Sequence, residues 1–308
     1  MHGELPLVIA VMGPTASGKS ALALHLAQEF GAEIISADSA QVYRQVSVGT
    51  AKPSEAERQA VPHHLIDIRD LGEGFCLADF QRLAAQAVRE IWQRGRIPLV
   101  VGGTGLYVRG LLEGYALEAP PPDEELRASL NERDLPSLLE ELERRDPAAY
   151  QSIDRCNKRR VSRALEIILQ TGKSWTECSR RQPPPWRIVK FGLLCEREVL
   201  RERIRLRLRK MLDEGWVEEV DSLLAGGWEE ALRSANILGY AQVMDFVQGR
   251  ISDEQMREGI FIQTSRFAKR QRTWLRAEPG LLTYPAAEEG LQDIHRTVSD
   301  LTKQYRVI

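Results

Sequence analysis

The 308-residue sequence predicts an α/β protein: a parallel sheet core with helices on its faces, a helical insertion and a helical C-terminal region. Three observations predict it. Short apolar runs alternate with segments of helical period in the first hundred residues. A glycine-bounded loop, GPTASGKS (Gly13–Ser20), joins the first apolar run to the first helical segment. Helical patterns then replace the alternation, first between 115 and 187 and again after about 200.

Leu7–Met12 reads as a short buried strand, and a helix begins near Lys19. Ala32–Asp38 reads as a second strand ending on a carboxylate. From Ala78 to Arg94, Phe80, Leu83, Ala84, Ala87, Val88 and Ile91 fall on one helical face, and Gly95 stops the helix. RIPLVVGGTG (Arg96–Gly105) is a third strand running into glycines. Sites in parallel sheets lie at the carboxyl ends of the strands, so the 13–20 loop, Asp38 and Gly102–Gly105 should share one edge. The proline-rich LEAPPPDEEL (Leu117–Leu126) marks a boundary. Helical segments follow until RQPPPW (Arg181–Trp186), and RIVKFGLLC (Arg187–Cys195) returns to strand pattern and rejoins the sheet. The expected division is therefore 1–114 with 188–308 as the α/β core and C-terminal region, and 115–187 as the insertion. From Leu200 an apolar stripe of Leu200, Ile204, Leu208 and Met211 runs beside a basic one of Arg203, Arg207 and Lys210.

Composition is that of an ordinary soluble globular chain, 43% hydrophobic and 28% charged. No apolar run approaches the roughly 20 residues that span a bilayer, and no secretion signal is legible at the N-terminus, so no membrane partner is expected. Cys76, Cys156, Cys178 and Cys195 are scattered, without a Cys-x-x-Cys pair. That disfavours a zinc site or disulfide framework and favours a reducing cytoplasm. The net charge of −2 conceals basic clusters at Arg155–Arg163, Arg197–Lys210 and Arg266–Arg276, and only eight of the 42 basic residues are lysine. Arginine's planar fork suits phosphate, so these clusters are consistent with a polyanion partner.

GPTASGKS fits G-x-x-x-x-G-K-[ST] in the required strand–loop–helix setting, the P-loop arrangement. In such a loop, backbone N–H groups of Gly13, Pro14's neighbours Thr15 and Ala16, and Ser17 and Gly18 surround phosphate oxygens. Lys19 reaches the terminal phosphate and the Ser20 hydroxyl ligates Mg²⁺. The motif does not say which phosphate compound is held: ATP and a pyrophosphate ester fit the same cradle. Asp38, in SADSAQVYR, suits a general base or a water-mediated Mg²⁺ ligand, or alternatively a side-chain cap. Thr104 in VVGGTGLY offers a hydroxyl beside flexible glycines, a pattern that by itself also fits a plain turn. A small-molecule kinase remains open on these residues alone.

Taken in order, GPTASGKS, ISADSAQVYR, GTAKP, PHHLID, ADFQRLA, RIPLVVGGTGLY, RRVSRALEI, RIRLRLRKMLDEGWVEEV, LGYAQ and AKRQRTWLR resemble the tRNA dimethylallyltransferases, also called tRNA isopentenyltransferases, of bacterial type. The resemblance implies transfer of a five-carbon group from dimethylallyl diphosphate to the exocyclic N6 amine of the adenosine immediately 3′ of the anticodon. The loop from Gly13 to Ser20 would then hold the donor's diphosphate, with Mg²⁺ on Ser20. It further implies Asp38 as the base, with Thr104 and Arg203 at the diphosphate. Asp38, Ser39, Ala40, Gln41, Arg127, Arg159, Arg160, Arg163, Gly239, Tyr240, Lys269 and Arg270 would contact the tRNA anticodon stem-loop, and the chain is expected to act as a monomer. Ala40 stands where many relatives carry methionine. Ala241 and Asp245 also depart from the pattern and leave one RNA contact in question. A relative that prenylates free AMP or ADP is the remaining rival beside the kinase.

Overall fold

The computed structural model describes residues 5–115 and 123–305. The part of the proline-rich boundary from 117 to 122 lies outside them. Six strands form one parallel sheet in the order β3-β2-β4-β1-β5-β6. They are β1 (Leu7–Met12), β2 (Ala32–Ser36), β3 (His63–His64), β4 (Ile97–Gly102), β5 (Arg187–Leu194) and β6 (Leu281–Pro285). β1 is buried at every residue and lies between β4, where Ile9 meets Leu99, and β5, where Ile9 meets Val189. A strand covered on both faces must be apolar throughout, which is why LVIAVM shows no alternation. β5 rejoins the sheet beside β1 after the helical segment, as its composition predicts.

The helices of the first half are α1 (Lys19–Phe30), α2 (Glu55–Ala60), α3 (Leu77–Gln93) and α4 (Gly105–Glu113). α3 buries Phe80, Ala84, Ala87, Val88 and Ile91, the face expected from its period; Leu83 is half-buried. One compact unit comprises residues 1–111 and 185–308, and a second Leu112–Pro184. The second unit holds α5 (Glu124–Glu132), α6 (Leu135–Arg145), α7 (Pro147–Ser152), α8 (Lys158–Thr171) and α9 (Trp175–Cys178). It has its own core, formed by Leu130, Leu138, Leu142, Val161, Leu165 and Ile168 among others. Buried Asp146 braces it, accepting Ala149 N at 2.9 Å and Trp175 N at 2.8 Å.

The first unit continues with α10 (Arg197–Asp213), α11 (Trp216–Ala225), α12 (Glu229–Ala235), α13 (Tyr240–Val247), α14 (Asp253–Arg276) and α15 (Glu288–Gln304). Leu200, Ile204, Leu208 and Met211 form the buried stripe of α10 as expected, packed with Trp216, Tyr240, Ile260 and Phe261. β6 was not legible in the sequence. Its pattern of half-buried and exposed residues is that of a sheet edge, where one face carries no apolar demand.

Candidate functional site

The loop after β1 is a tight phosphate-type cradle. Gly13, Pro14 and Ser17 are buried, Thr15, Ala16 and Lys19 half-buried, and Gly18 and Ser20 exposed. Ser17 N donates to Pro14 O at 3.2 Å, and Lys19 Nζ reaches the same carbonyl at 3.4 Å. Gly18 stands at φ 91°, a left-handed conformation that glycine adopts without strain. No side chain caps α1 there, so its first-turn N–H groups and positive dipole end remain for an anion.

Burial lowers the Lys19 ammonium to a pKa of about 8; the charge of Arg207 acts in the same direction and Asp38 opposes both. Arg207 is itself lowered by burial, with Asp38 opposing. Two poorly hydrated cations repelling each other beside an uncapped helix end are the electrostatics of an anion site.

Asp38 leaves β2 two residues past its end. Its Oδ1 accepts Ala40 N at 2.9 Å, an Asx turn. No helix begins at this turn, so the side chain caps a bend and its Oδ2 has no partner among the described residues. Thr15, Lys19, Ser20, Asp38, Gly102 and Arg207 open onto one cavity of about 730 Å³. The expected gathering of three loops at the carboxyl edge of the sheet is thus present.

Several expected residues take other positions. Arg203 does not line this cavity; its guanidinium donates to Ser17 O at 3.3 Å and Ala286 O at 3.1 Å, bracing the loop from outside. Arg207, one turn further along α10, lines the cavity instead. Thr104 also lies outside the lining: its N–H meets Ala37 O at 3.4 Å and its carbonyl accepts Tyr107 N and Val108 N as α4 begins. Gln41 is committed to the fold, accepting from Ser36 Oγ at 2.9 Å and donating to Thr50 O and Ala51 O. Ser39 is exposed and Ala40 half-buried.

The Gly239–Tyr240 expectation requires correction. Tyr240 is fully buried, and its hydroxyl donates to Glu219 Oε1 at 2.6 Å, while Gly239 packs against Trp216. The tyrosine ring is taken up by the core and has no surface left for the tRNA contact expected of it. Its role is indirect: Glu219 also accepts Ser47 N at 2.7 Å and Val48 N at 2.8 Å, fixing a loop on the cavity wall.

In the second unit Arg127 and Arg163 both pair with buried Glu166, at 3.3 and 2.8 Å, whereas Arg159 and Arg160 are exposed on α8. Arg160 lies 3.9 Å from Asp154. Lys269 and Arg270 are exposed on α14, Arg270 over the Phe267 ring.

One residue that the sequence reading passed over joins two parts of the site. Gln271, 4% exposed, accepts Thr15 N at 2.8 Å and donates to Gly103 O at 3.0 Å, tying the cradle to the end of β4. A side chain at Gly103 would collide with it, its Cβ 2.1 Å from Gln271 Nε2. The available signal was period: Gln271 lies three residues after Ala268 and four before Leu275, on the buried stripe of α14.

A family model described as IPP transferase matches residues 41–278. The chain belongs to the IPP transferase family. The tRNA dimethylallyltransferase of Thermomicrobium roseum is 45% identical over 287 residues, 92% of this chain and 87% of that protein. That of Halalkalibacterium halodurans is 39% identical over 303 residues, 95% and 96% of the two chains. Among solved structures, the full-length tRNA isopentenylpyrophosphate transferase of Bacillus halodurans superposes with TM-score 0.73 at 36% identity, covering 98% of each chain. A eukaryotic dimethylallyltransferase described as acting on tRNA gives TM-score 0.81 at 25% identity, covering 96% of this chain and 78% of that one. The IPP transferase fold is therefore shared over nearly the whole length of this chain.

Proposed function

We infer that this protein transfers the dimethylallyl group of dimethylallyl diphosphate to the N6 amine of the adenosine immediately 3′ of the anticodon in tRNA, releasing diphosphate. The observation that carries the reading is the pairing, in one cavity, of a phosphate cradle with the open Oδ2 of Asp38. The two sequence relatives, both named tRNA dimethylallyltransferase, support it over a kinase or an AMP prenyltransferase.

In the transfer, the N6 lone pair forms the C–N bond to the allylic carbon while the C–O bond to diphosphate breaks, its electron pair leaving with the diphosphate. The proton released from nitrogen passes to Asp38 Oδ2. An aryl amine is a weak nucleophile, so fixed positioning contributes more than basicity, and the Asx turn to Ala40 orients the carboxylate for this. Lys19, Arg207 and the α1 N-terminus stabilise charge developing on the leaving diphosphate. The adenine leaves the anticodon-loop stack to bring its amine to the Asp38 carboxylate. Exposed Arg159, Arg160, Lys269 and Arg270 are assigned to tRNA phosphates, with residues 115–187 as a tRNA-binding insertion.

The Ser20 hydroxyl, a hard oxygen ligand on this cavity, fits Mg²⁺. Ser20 would hold it, and when bound it would neutralise charge on the diphosphate. The test is an assay with Mg²⁺, labelled dimethylallyl diphosphate and unmodified tRNA, beside parallel AMP and ATP-hydrolysis reactions. Label on the single adenosine 3′ of the anticodon is expected. Label on AMP alone, or ADP without prenylation, overturns the reading.

A further inference from the structure

On the other side of the phosphate-binding helix, α1 and α15 bring together two imidazoles and a carboxylate that the transfer reaction does not use. His25 and Glu29 stand four residues apart on one face of α1, and His295 comes across from α15. The ligand atoms of all three lie within 4.8 Å of one another, and among the described residues this is the only such trio of His, Cys, Asp or Glu. Glu29 Oε2 is 3.5 Å from His25 Nε2 and 2.7 Å from His295 Nε2. These separations bracket the ~3.3 Å edge of a tetrahedron with metal–ligand bonds of about 2.0–2.1 Å.

We propose that His25, Glu29 and His295 form a binding site for a divalent transition metal of the zinc class, separate from the Mg²⁺ of the donor site. Two imidazole nitrogens with one carboxylate match the borderline preference of Zn²⁺ and do not suit Mg²⁺, which takes oxygen ligands. A second cavity of about 730 Å³ is lined by both histidines, leaving room for water at a fourth position. The cation that shares that cavity, Arg203, is committed to the Ser17 and Ala286 carbonyls. His295 packs against Phe30 at 5.1 Å and stacks on His25 at 5.8 Å between centroids, which brings the two rings together. Bound metal ties α15 to α1, whose first two residues are Lys19 and Ser20. The site is a clamp behind the phosphate cradle.

The experiment is a zinc titration of the full-length, chelator-stripped protein against a chromophoric competitor, with Co²⁺ absorption as the spectroscopic readout. Wild type, His25→Gln and His295→Gln are compared, with Gln292→Ala as a control from the same cavity. One equivalent of zinc is expected in wild type and in the control, weakened at least tenfold in either histidine variant. Zinc should also raise the melting temperature of wild type and leave that of both histidine variants unmoved. Because the two histidines are half-buried or exposed, glutamine is accommodated in their place, and circular dichroism verifies the fold. Equal zinc affinity and equal Co²⁺ spectra in wild type and both histidine variants would overturn the proposal, as would the absence of binding to wild type. Neither outcome depends on prenyl transfer.

Discussion

In the proposed reaction Asp38 takes the proton and Lys19 faces the diphosphate. Asp38 retains one open carboxylate oxygen because the other is held by Ala40 N. Asp38→Asn keeps that turn but removes the proton acceptor. Turnover should fall ~10²–10⁴-fold with donor affinity unchanged, as read by single-turnover kinetics beside equilibrium binding of dimethylallyl diphosphate. Unchanged turnover would remove Asp38 as the base. Lys19 supplies the pH dependence. Its pKa is lowered to about 8, so the cationic form predominates below that pH and is lost as pH rises through it. If the cation binds the diphosphate as proposed, kcat/KM for the donor should decline about tenfold per pH unit above 8, whereas kcat, which reports the donor-bound state, should decline at higher pH. A flat kcat/KM profile to pH 9.5 would contradict this.

At the level of elements, the cradle depends on a helix distant in sequence. Gln271 of α14 holds Thr15 N and Gly103 O at once, the Gly103 contact buried and the Thr15 contact partly so. Gln271→Ala leaves the buried Gly103 carbonyl without a partner, a loss on the order of 1–3 kcal/mol in denaturant unfolding. As a positioning residue it should raise KM for the donor more than it lowers kcat, and Gln271→Glu, which keeps the acceptor for Thr15 but loses the donor to Gly103, should recover only part of the KM. A stability loss with unchanged KM would make Gln271 structural alone. Glu219 works similarly for the 47–49 loop, with Tyr240 as its buried partner.

Over the whole molecule the near-zero net charge is a poor guide to the partner, because the cations are unequal in use. Arg127 and Arg163 neutralise Glu166, whose carboxylate is 2% exposed, while Arg159 and Arg160 face solvent one turn away. Arg159→Ala and Arg160→Ala should each weaken tRNA binding and reduce the slope of log K against log salt by about 0.7–0.9, leaving stability unchanged. Arg163→Ala should instead cost on the order of 1 kcal/mol of stability, a figure already discounted for its partial exposure. Salt-dependent binding and unfolding curves on the same variants separate the two roles; a reversed pattern would reassign them.

The sequence by itself determined four of the six strands, β1, β2, β4 and β5, with the phosphate cradle and the carboxylate past the end of β2. Each depends on local requirements: continuous apolar strands, glycine at a left-handed turn, and a lysine and serine at a helix start. The buried stripe of α10 was equally legible, because helical period is a local property. Tertiary structure alone decided which polar groups are committed elsewhere. Tyr240, Gln41 and Arg203 look available in sequence, yet each is occupied by partners that only folding brings near. Gln271 looks incidental between basic neighbours and proves to link Thr15 and Gly103 across 256 and 168 residues of chain. The physical reason is that backbone conformation follows mainly from neighbours along the chain, whereas hydrogen-bond satisfaction of a buried group follows from neighbours in space.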